Sequence, residues 1–202
     1  MPMSAEDFHQ SPSLLVAIPT PDLRAVVPSL ITLGQVAHRL NRALEVVLGE
    51  ASNIPRARNV ALAQIRQTMP QATHRWVLWL ESDILMLPNT AAEVAPALTW
   101  AETHQQAIVA NYRMATGENV LMTTRTMDTA RHYTDPELAA LPVWSEVGMS
   151  GLGWAYLDQP LNYVFHADTF GEDVHFWWDH PEIRLHWAKD IHLGHRKTVV
   201  LF

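Results

Sequence analysis

The stretch 75–87, Arg-Trp-Val-Leu-Trp-Leu-Glu-Ser-Asp-Ile-Leu-Met-Leu, constrains the fold of this 202-residue chain more than any other. From Trp76 to Leu80 it is apolar, β-prone and unbroken, the pattern of a short strand buried on both faces. It then meets two carboxylates, Glu81 and Asp83, two positions apart. In a continuing strand, side chains at i and i+2 point the same way, so both acids are expected together where a buried strand leaves the sheet. In open α/β sheets that carboxyl end is where ligands bind. Paired oxygen donors there suit a hard divalent cation shared with substrate phosphates. A pair of solvated acids is the plainer alternative.

The chain around this stretch alternates strand and helix. Residues 14–18 (Leu-Leu-Val-Ala-Ile) form a second short apolar run, stopped by Pro19-Thr20-Pro21. A helix is expected over 28–42, with Pro28 tolerated in its first turn. A strand follows over 44–48, then a helix capped by Asn53, with Pro55 early in it, towards Thr68. Pro88-Asn89-Thr90 opens a helix over 91–103, bent at Pro96, and 108–112 is the next strand. This rhythm predicts an α/β fold with a mostly parallel central sheet flanked by helices. Beyond Arg113 it breaks. Residues 114–135 read as a hairpin or mobile loop, 143–147 as a strand, 172–180 as a short helix and 183–187 as a last strand. Residues 1–12 read as a loose leader before a single domain over 13–202.

Composition excludes several classes. Acidic residues exceed basic ones 21 to 14, a formal charge of -7 that disfavours a general nucleic-acid binder. The chain has no cysteine, so thiolate metal sites and disulfides are ruled out. No apolar run reaches the ~18–20 residues of a membrane helix, and the acidic start lacks the basic region of a signal peptide, so a cytoplasmic location is expected. There is no G-x-G-x-x-G, no phosphate-binding loop of the G-x-x-x-x-G-K type and no H-E-x-x-H.

What remains is a scattered set of acids, histidines, arginines and tryptophans. Glu172 and Asp173 open an aromatic helix after Gly171. Acids there are favoured by the helix dipole whatever their function, and the dipole lowers a carboxylate's pKa where a general base works best nearer neutrality. Burial against Trp177 or Trp178 offsets that. His192 and His195 are candidate imidazole ligands, a donor that Mn2+ accepts more readily than Mg2+. Arg56, Arg58 and Asn59 begin a helix just beyond a strand, where Arg's fork suits a diphosphate. Eight tryptophans are many for this length; Trp144, Trp154, Trp177 and Trp178 are of a type more often core than ligand platform, yet sugar rings stack on such faces, and Trp154 and Trp177 are the candidate acceptor platforms.

In order, these pieces resemble the GT-A glycosyltransferases, in particular the small family-2-like enzymes of bacteria and phages. The landmarks are Leu-Leu-Val-Ala-Ile-Pro-Thr at 14–20, Asn-Ile-Pro-Arg-Ala-Arg-Asn at 53–59 and Trp-Val-Leu-Trp-Leu-Glu-Ser-Asp-Ile at 76–84. Then come Ile-Val-Ala-Asn-Tyr-Arg at 108–113, Gly-Glu-Asp-Val-His-Phe at 171–176 and Leu-Gly-His at 193–195. The resemblance implies a nucleotide-diphospho-sugar donor (a UDP- or GDP-sugar), Mn2+ or Mg2+, and a carbohydrate or other hydroxyl acceptor. By it, Asp83 closes the D-x-D motif as metal ligand, Glu81 stands where the family usually has its first Asp, and His195 is the late metal or diphosphate ligand. Asp173 is the base, supported by Glu172, and Pro19, Thr20, Arg58 and Asn59 line the donor pocket. The chemistry implied is attack of an acceptor hydroxyl at the anomeric carbon with inversion. A chain this short leaves room for a homo-oligomer in which a second subunit completes the acceptor site.

Three rivals remain. A nucleotidyltransferase needs a Gly-rich loop after the first strand, where this chain has Pro19-Thr20-Pro21-Asp22-Leu23. A glycoside hydrolase needs two carboxylates, here Glu172 and Asp83, to flank one bond. A non-catalytic sugar-nucleotide or carbohydrate-binding module is kept alive by Glu81 at the first acidic position.

Overall fold

The structure is a computed structural model that describes residues 13–19, 23–87, 90–114, 116–126, 128–166 and 171–195, with Leu23, Arg24 and His195 described by backbone alone. The leader, Thr20 and the start of the turn before the third helix lie outside these residues. The described chain forms strands β1 (Leu14–Ile18), β2 (Leu44–Leu48), β3 (His74–Leu80), β4 (Ile84–Met86), β5 (Ala107–Val109), β6 (Glu146–Val147), β7 (Trp154–Pro160), β8 (Leu185–Trp187) and β9 (Leu193–His195). Its helices are α1 (Leu23–Arg39), α2 (Ile54–Thr68), α3 (Ala91–His104), α4 (Asp135–Ala140) and α5 (Glu172–Asp179).

Seven strands make one sheet in the order β2-β1-β3-β7-β5-β8-β6. β2, β1, β3, β5 and β8 run one way; β7 and β6 run the other, so the sheet is mostly parallel in direction. Every residue of β1 is buried, as its unbroken apolar run requires of a strand covered on both faces. β3 lies parallel to β1 and pairs with β7 over its whole length, from His74↔Pro160 to Leu80↔Trp154.

That central antiparallel strand is absent from the sequence reading. β7 carries Asp158, Gln159 and a terminal proline, a polar end that hides the strand. Gln159 is fully buried and is satisfied locally: its oxygen accepts from Trp79 Nε1 at 3.0 Å and its amide donates to the Pro160 carbonyl at 3.0 Å. The stretch 75–87 also differs from its expected form. The strand ends at Leu80, Glu81 to Asp83 form a turn closed by an Ile84 N to Glu81 O bond of 3.2 Å, and β4 follows. β4 pairs with β9 in a separate two-stranded sheet. Ser29 of α1 clasps it, donating to the Ile84 carbonyl and accepting from Met86 N.

The helices are close to expectation except at their ends. α1 spans Leu23–Arg39 with Pro28 inside it, and Asn41 at φ 54° ends the helical path before Arg42. α2 starts where Asn53 Oδ1 accepts from Arg56 N at 3.0 Å. α3 continues through Pro96 and buries Ala91, Val94, Ala95, Ala97, Leu98 and Ala101. The segment 114–135, expected to be a hairpin or mobile loop, carries isolated antiparallel bridges, Arg113↔Asn119, Met122↔His132 and Met122↔Met149, in place of regular strands. Among the described residues, no helix is long and apolar enough to cross a membrane.

The Asn53 cap sits one turn before Arg58, the side chain that α2 delivers into the candidate site. Asn53→Ala should lower stability by about 1 kcal/mol, read as a reduced urea midpoint with unchanged slope.

Candidate active site

Four carboxylates converge beyond the carboxyl ends of β1 and β3. Glu81 and Asp83 come from the turn after β3, and Glu172 and Asp173 from the first turn of α5, close enough that Glu81 feels the charge of all three others. Between them lies the guanidinium of Arg58, which is fully buried. Its Nη2 donates to Glu81 Oε1 at 2.6 Å and its Nε to Glu172 Oε1 at 3.3 Å. Its flat face rests 4.9 Å from the centre of the Trp79 ring and 5.7 Å from that of Phe165. Among the described residues, Nη1 has no hydrogen-bond partner.

Desolvation dominates the titration of Glu81 and Asp173. Burial pushes Glu81 up to about 7, with Arg58 opposing it and the neighbouring acids adding to it, although a quarter of the side chain (25%) still reaches solvent. Asp173 is also raised, first by burial and then by Glu172, against the pull of Arg58 and of the Val174 N–H that donates to Asp173 Oδ1 at 2.8 Å. The dipole at the start of α5 therefore loses to burial.

Tyr112, just beyond β5, closes the site from the other side. A Cβ on either Gly151 or Gly153 would lie 2.5 Å from the Tyr112 hydroxyl oxygen, so only glycine lets the two segments meet. The same hypothetical Cβ atoms lie 3.4 Å from Asp173 Oδ2 and 3.2 Å from Glu81 Oε2. Tyr112 thus stands between the strand-end acids and the helix acids, its own pKa raised by burial and by their charge.

α5 is held in place by Arg125, a residue whose role only the tertiary contacts reveal. Its guanidinium donates to the carbonyls of Trp177 at 3.3 Å and His180 at 3.0 Å, and to that of Ile183, while Nε reaches the Gly148 carbonyl at 3.0 Å. Helix C-termini leave such carbonyls without helical partners, so one cation anchors the end of α5 and thereby fixes its start.

Several expectations from the sequence are corrected here. Trp154 and Trp177 are 0% exposed; Trp154 lies in β7, and Trp177 Nε1 donates to the Ser150 carbonyl at 2.6 Å, so neither presents a face to an acceptor. Arg58 is buried under the acids instead of lining a donor pocket. Asn59 commits both ends of its amide to the backbone of Phe165, at 2.8 and 2.7 Å. Pro19 is buried, and Thr20 lies outside the described residues. The backbone of His195 pairs with Ile84, next in sequence to Asp83, while its side chain also lies outside them. His192 is exposed, at the entry to β9.

One oxygen of Glu81 is taken by Arg58, and among the described residues no three His, Asp or Glu side chains are grouped to hold a metal ion. Asp83 directly precedes β4, the strand that pairs with the backbone of His195.

No protein-family model and no curated protein matches the chain. Among solved structures, the chain is similar to one described as the crystal structure of a glycosyltransferase involved in the glycosylation of the major capsid of PBCV-1. That likeness covers 91% of this chain and 94% of the other, at 10% identity and a TM-score of 0.48. A likeness this loose assigns neither family nor activity.

Two outcomes are expected from the cluster. Arg58→Met leaves buried acids without their cation and should cost about 3 kcal/mol of stability, measured by urea denaturation at pH 7.5. A carboxyl with a raised folded-state pKa binds its proton more tightly when folded, so stability falls as pH rises. For Glu81 the loss should begin near its ordinary value of 4.5, be complete above about 7, and reach at most about 3 kcal/mol, screened by its residual exposure. In EDTA, Glu81→Gln should flatten that part of the pH profile; an unchanged slope means that Glu81 titrates normally.

Proposed function

We propose that this protein is a glycosyltransferase that moves a sugar from a nucleotide-diphospho-sugar to an acceptor hydroxyl. The observation that carries this reading is the convergence of Glu81 and Asp83 with Glu172 and Asp173, 91 positions apart from Glu81 to Glu172, at the carboxyl end of the sheet. The six ordered motifs that resemble the GT-A enzymes support the same reading.

In this mechanism Asp173 is the general base. Burial raises its pKa towards the range in which a carboxylate removes a hydroxyl proton, and its Oδ1 is steadied by the Val174 N–H. Glu172 is held by Arg58 beside it and orients the base or the acceptor. Asp83 would hold Mn2+ or Mg2+, with His195 and the donor's own oxygens as further ligands. The cation would supply Lewis-acid stabilisation of the departing nucleoside diphosphate. Glu81, clamped by Arg58, limits the number of charges that face the diphosphate. A base that deprotonates the acceptor on the face opposite the leaving group yields inversion at the anomeric carbon.

A second reading is a sugar-nucleotide-binding module without turnover. It is favoured by one observation, the commitment of Glu81 Oε1 to Arg58 at 2.6 Å.

Nucleoside diphosphate release from UDP-, GDP-, dTDP- and CDP-sugars, with Mn2+, Mg2+ or EDTA, separates the two. The transferase reading expects release from one donor that needs metal and is lost in Asp83→Ala. Asp173→Asn should lower transfer to an added acceptor by ~10²–10⁴-fold while donor affinity is kept. Donor binding by calorimetry with no release from any donor identifies the binding module, and absence of both rejects the two readings together.

A further inference from the structure

Trp154 and Trp177 lie in the core, so neither offers a face to an acceptor at the acid cluster. Two clefts meet at Ile191 and His192. One, of about 300 Å³, is lined by Asn111, Tyr112, Trp187 and His192, and so shares the tyrosine that stands between Glu81 and Asp173. The other, of about 460 Å³, is lined by Glu93, Pro96, Trp144 and Asp190. Ile191 and His192 line both, so the clefts adjoin, and Tyr112 is the residue that links the smaller one to the acids.

Trp144 sets the chemistry of the larger cleft. Its ring lies parallel to Trp100 at 4.4 Å and 4°, and Trp100 stacks in turn on His104 at 4.5 Å. Trp100 is therefore the inner ring of a stack, and Trp144 the outer plate that lines the cleft. The backbone of Trp144 has φ 63°, a region that bulky side chains rarely adopt, so the surrounding fold holds this ring in place against a conformational cost. Glu93 and Asp190 add carboxylate acceptors to a cleft otherwise walled by Pro96, Val143 and Ile191.

We propose that this cleft is the acceptor subsite and that its occupant is a neutral carbohydrate stacked on Trp144; the assignment rests on the transferase reading. A pyranose presents one apolar C–H face, which a fixed indole plate fits, and a rim of hydroxyl donors, which the two carboxylates accept. Glu93 and Asp190 disfavour an anionic ring on Trp144 itself, while the cations Arg113 and Lys189 lie in the adjoining cleft.

Saturation-transfer NMR with a panel of neutral and anionic mono- to trisaccharides tests the assignment. Ring protons of at least one neutral saccharide should receive saturation from the wild type, lose it in Trp144→Ala, and keep most of it in Trp144→Phe. Asp190→Asn should weaken the same signal several-fold, and it carries the test where Trp144→Ala fails to fold. Equal transfer in all variants, transfer to anionic saccharides only, or no transfer overturns the proposal. Acceptor-free nucleoside diphosphate release is read on the same samples. Release without saccharide binding overturns the cleft and keeps the transferase. Saccharide binding on Trp144 without release from any donor overturns the cleft's role as acceptor subsite along with the transferase.

Discussion

A guanidinium with no solvent exposure must find its partners inside the protein, and the placement of Arg58 organises the rest of the site. A buried cation is costly unless paired, and Arg58 is paired twice, once to each of the two chain segments that carry acids. The pairing works in both directions. Without Arg58, four carboxylates would repel one another; without them, the cation would be stranded against Trp79 and Phe165. The Asn53 cap, the first turns of α2 and the Asn59 clamp on Phe165 fix the backbone from which Arg58 reaches inward.

The other half of the site depends on close approach. Tyr112 comes from the segment after β5, and Gly151 and Gly153 precede β7, so the central antiparallel strand brings tyrosine and glycines together. Glu81 is drawn into the same contact, since its N–H donates to the Gly153 carbonyl at 2.9 Å. At the far side Arg125 collects the carbonyls at the end of α5. Glu172 and Asp173 are thereby presented by a helix anchored at its opposite end. The raised pKa values of Glu81 and Asp173 follow from this packing, since burial is the largest cause of each.

At the opposite end of the sheet a second charged network does purely structural work. Arg42 grips Glu102 with two bonds of 2.6 Å, and Tyr156 of β7 donates to the same carboxylate. It ties the turn after α1 to α3 and to the central strand. One end of the sheet thus carries a satisfied ion pair, while the other carries an excess of acids around a single cation.

Much of the first half was legible in the sequence because local physics is enough there. The apolar runs of β1 and β3 announce buried strands, Asn53 and Pro55 announce the start of α2, and acids after Gly171 announce the start of α5. Glu81, Asp83, Glu172 and Asp173 stood out by residue type and position alone, and the fold brings the other three within electrostatic reach of Glu81. Other features belong to tertiary structure alone. β7 is a strand because β3 and β5 pair with it on both sides, which its Asp-Gln-Pro end conceals. Arg58 reads as a surface phosphate binder until its helix is seen to point inward, and Trp154 and Trp177 read as platforms until the sheet covers them. The sequence by itself determined which residues can form strands, caps and carboxylate pairs, since these follow from side-chain type and spacing. Which charges are buried, which rings keep an open face and which acids share one water-poor space was decided only by the tertiary structure, because desolvation depends on what the whole chain packs against each group.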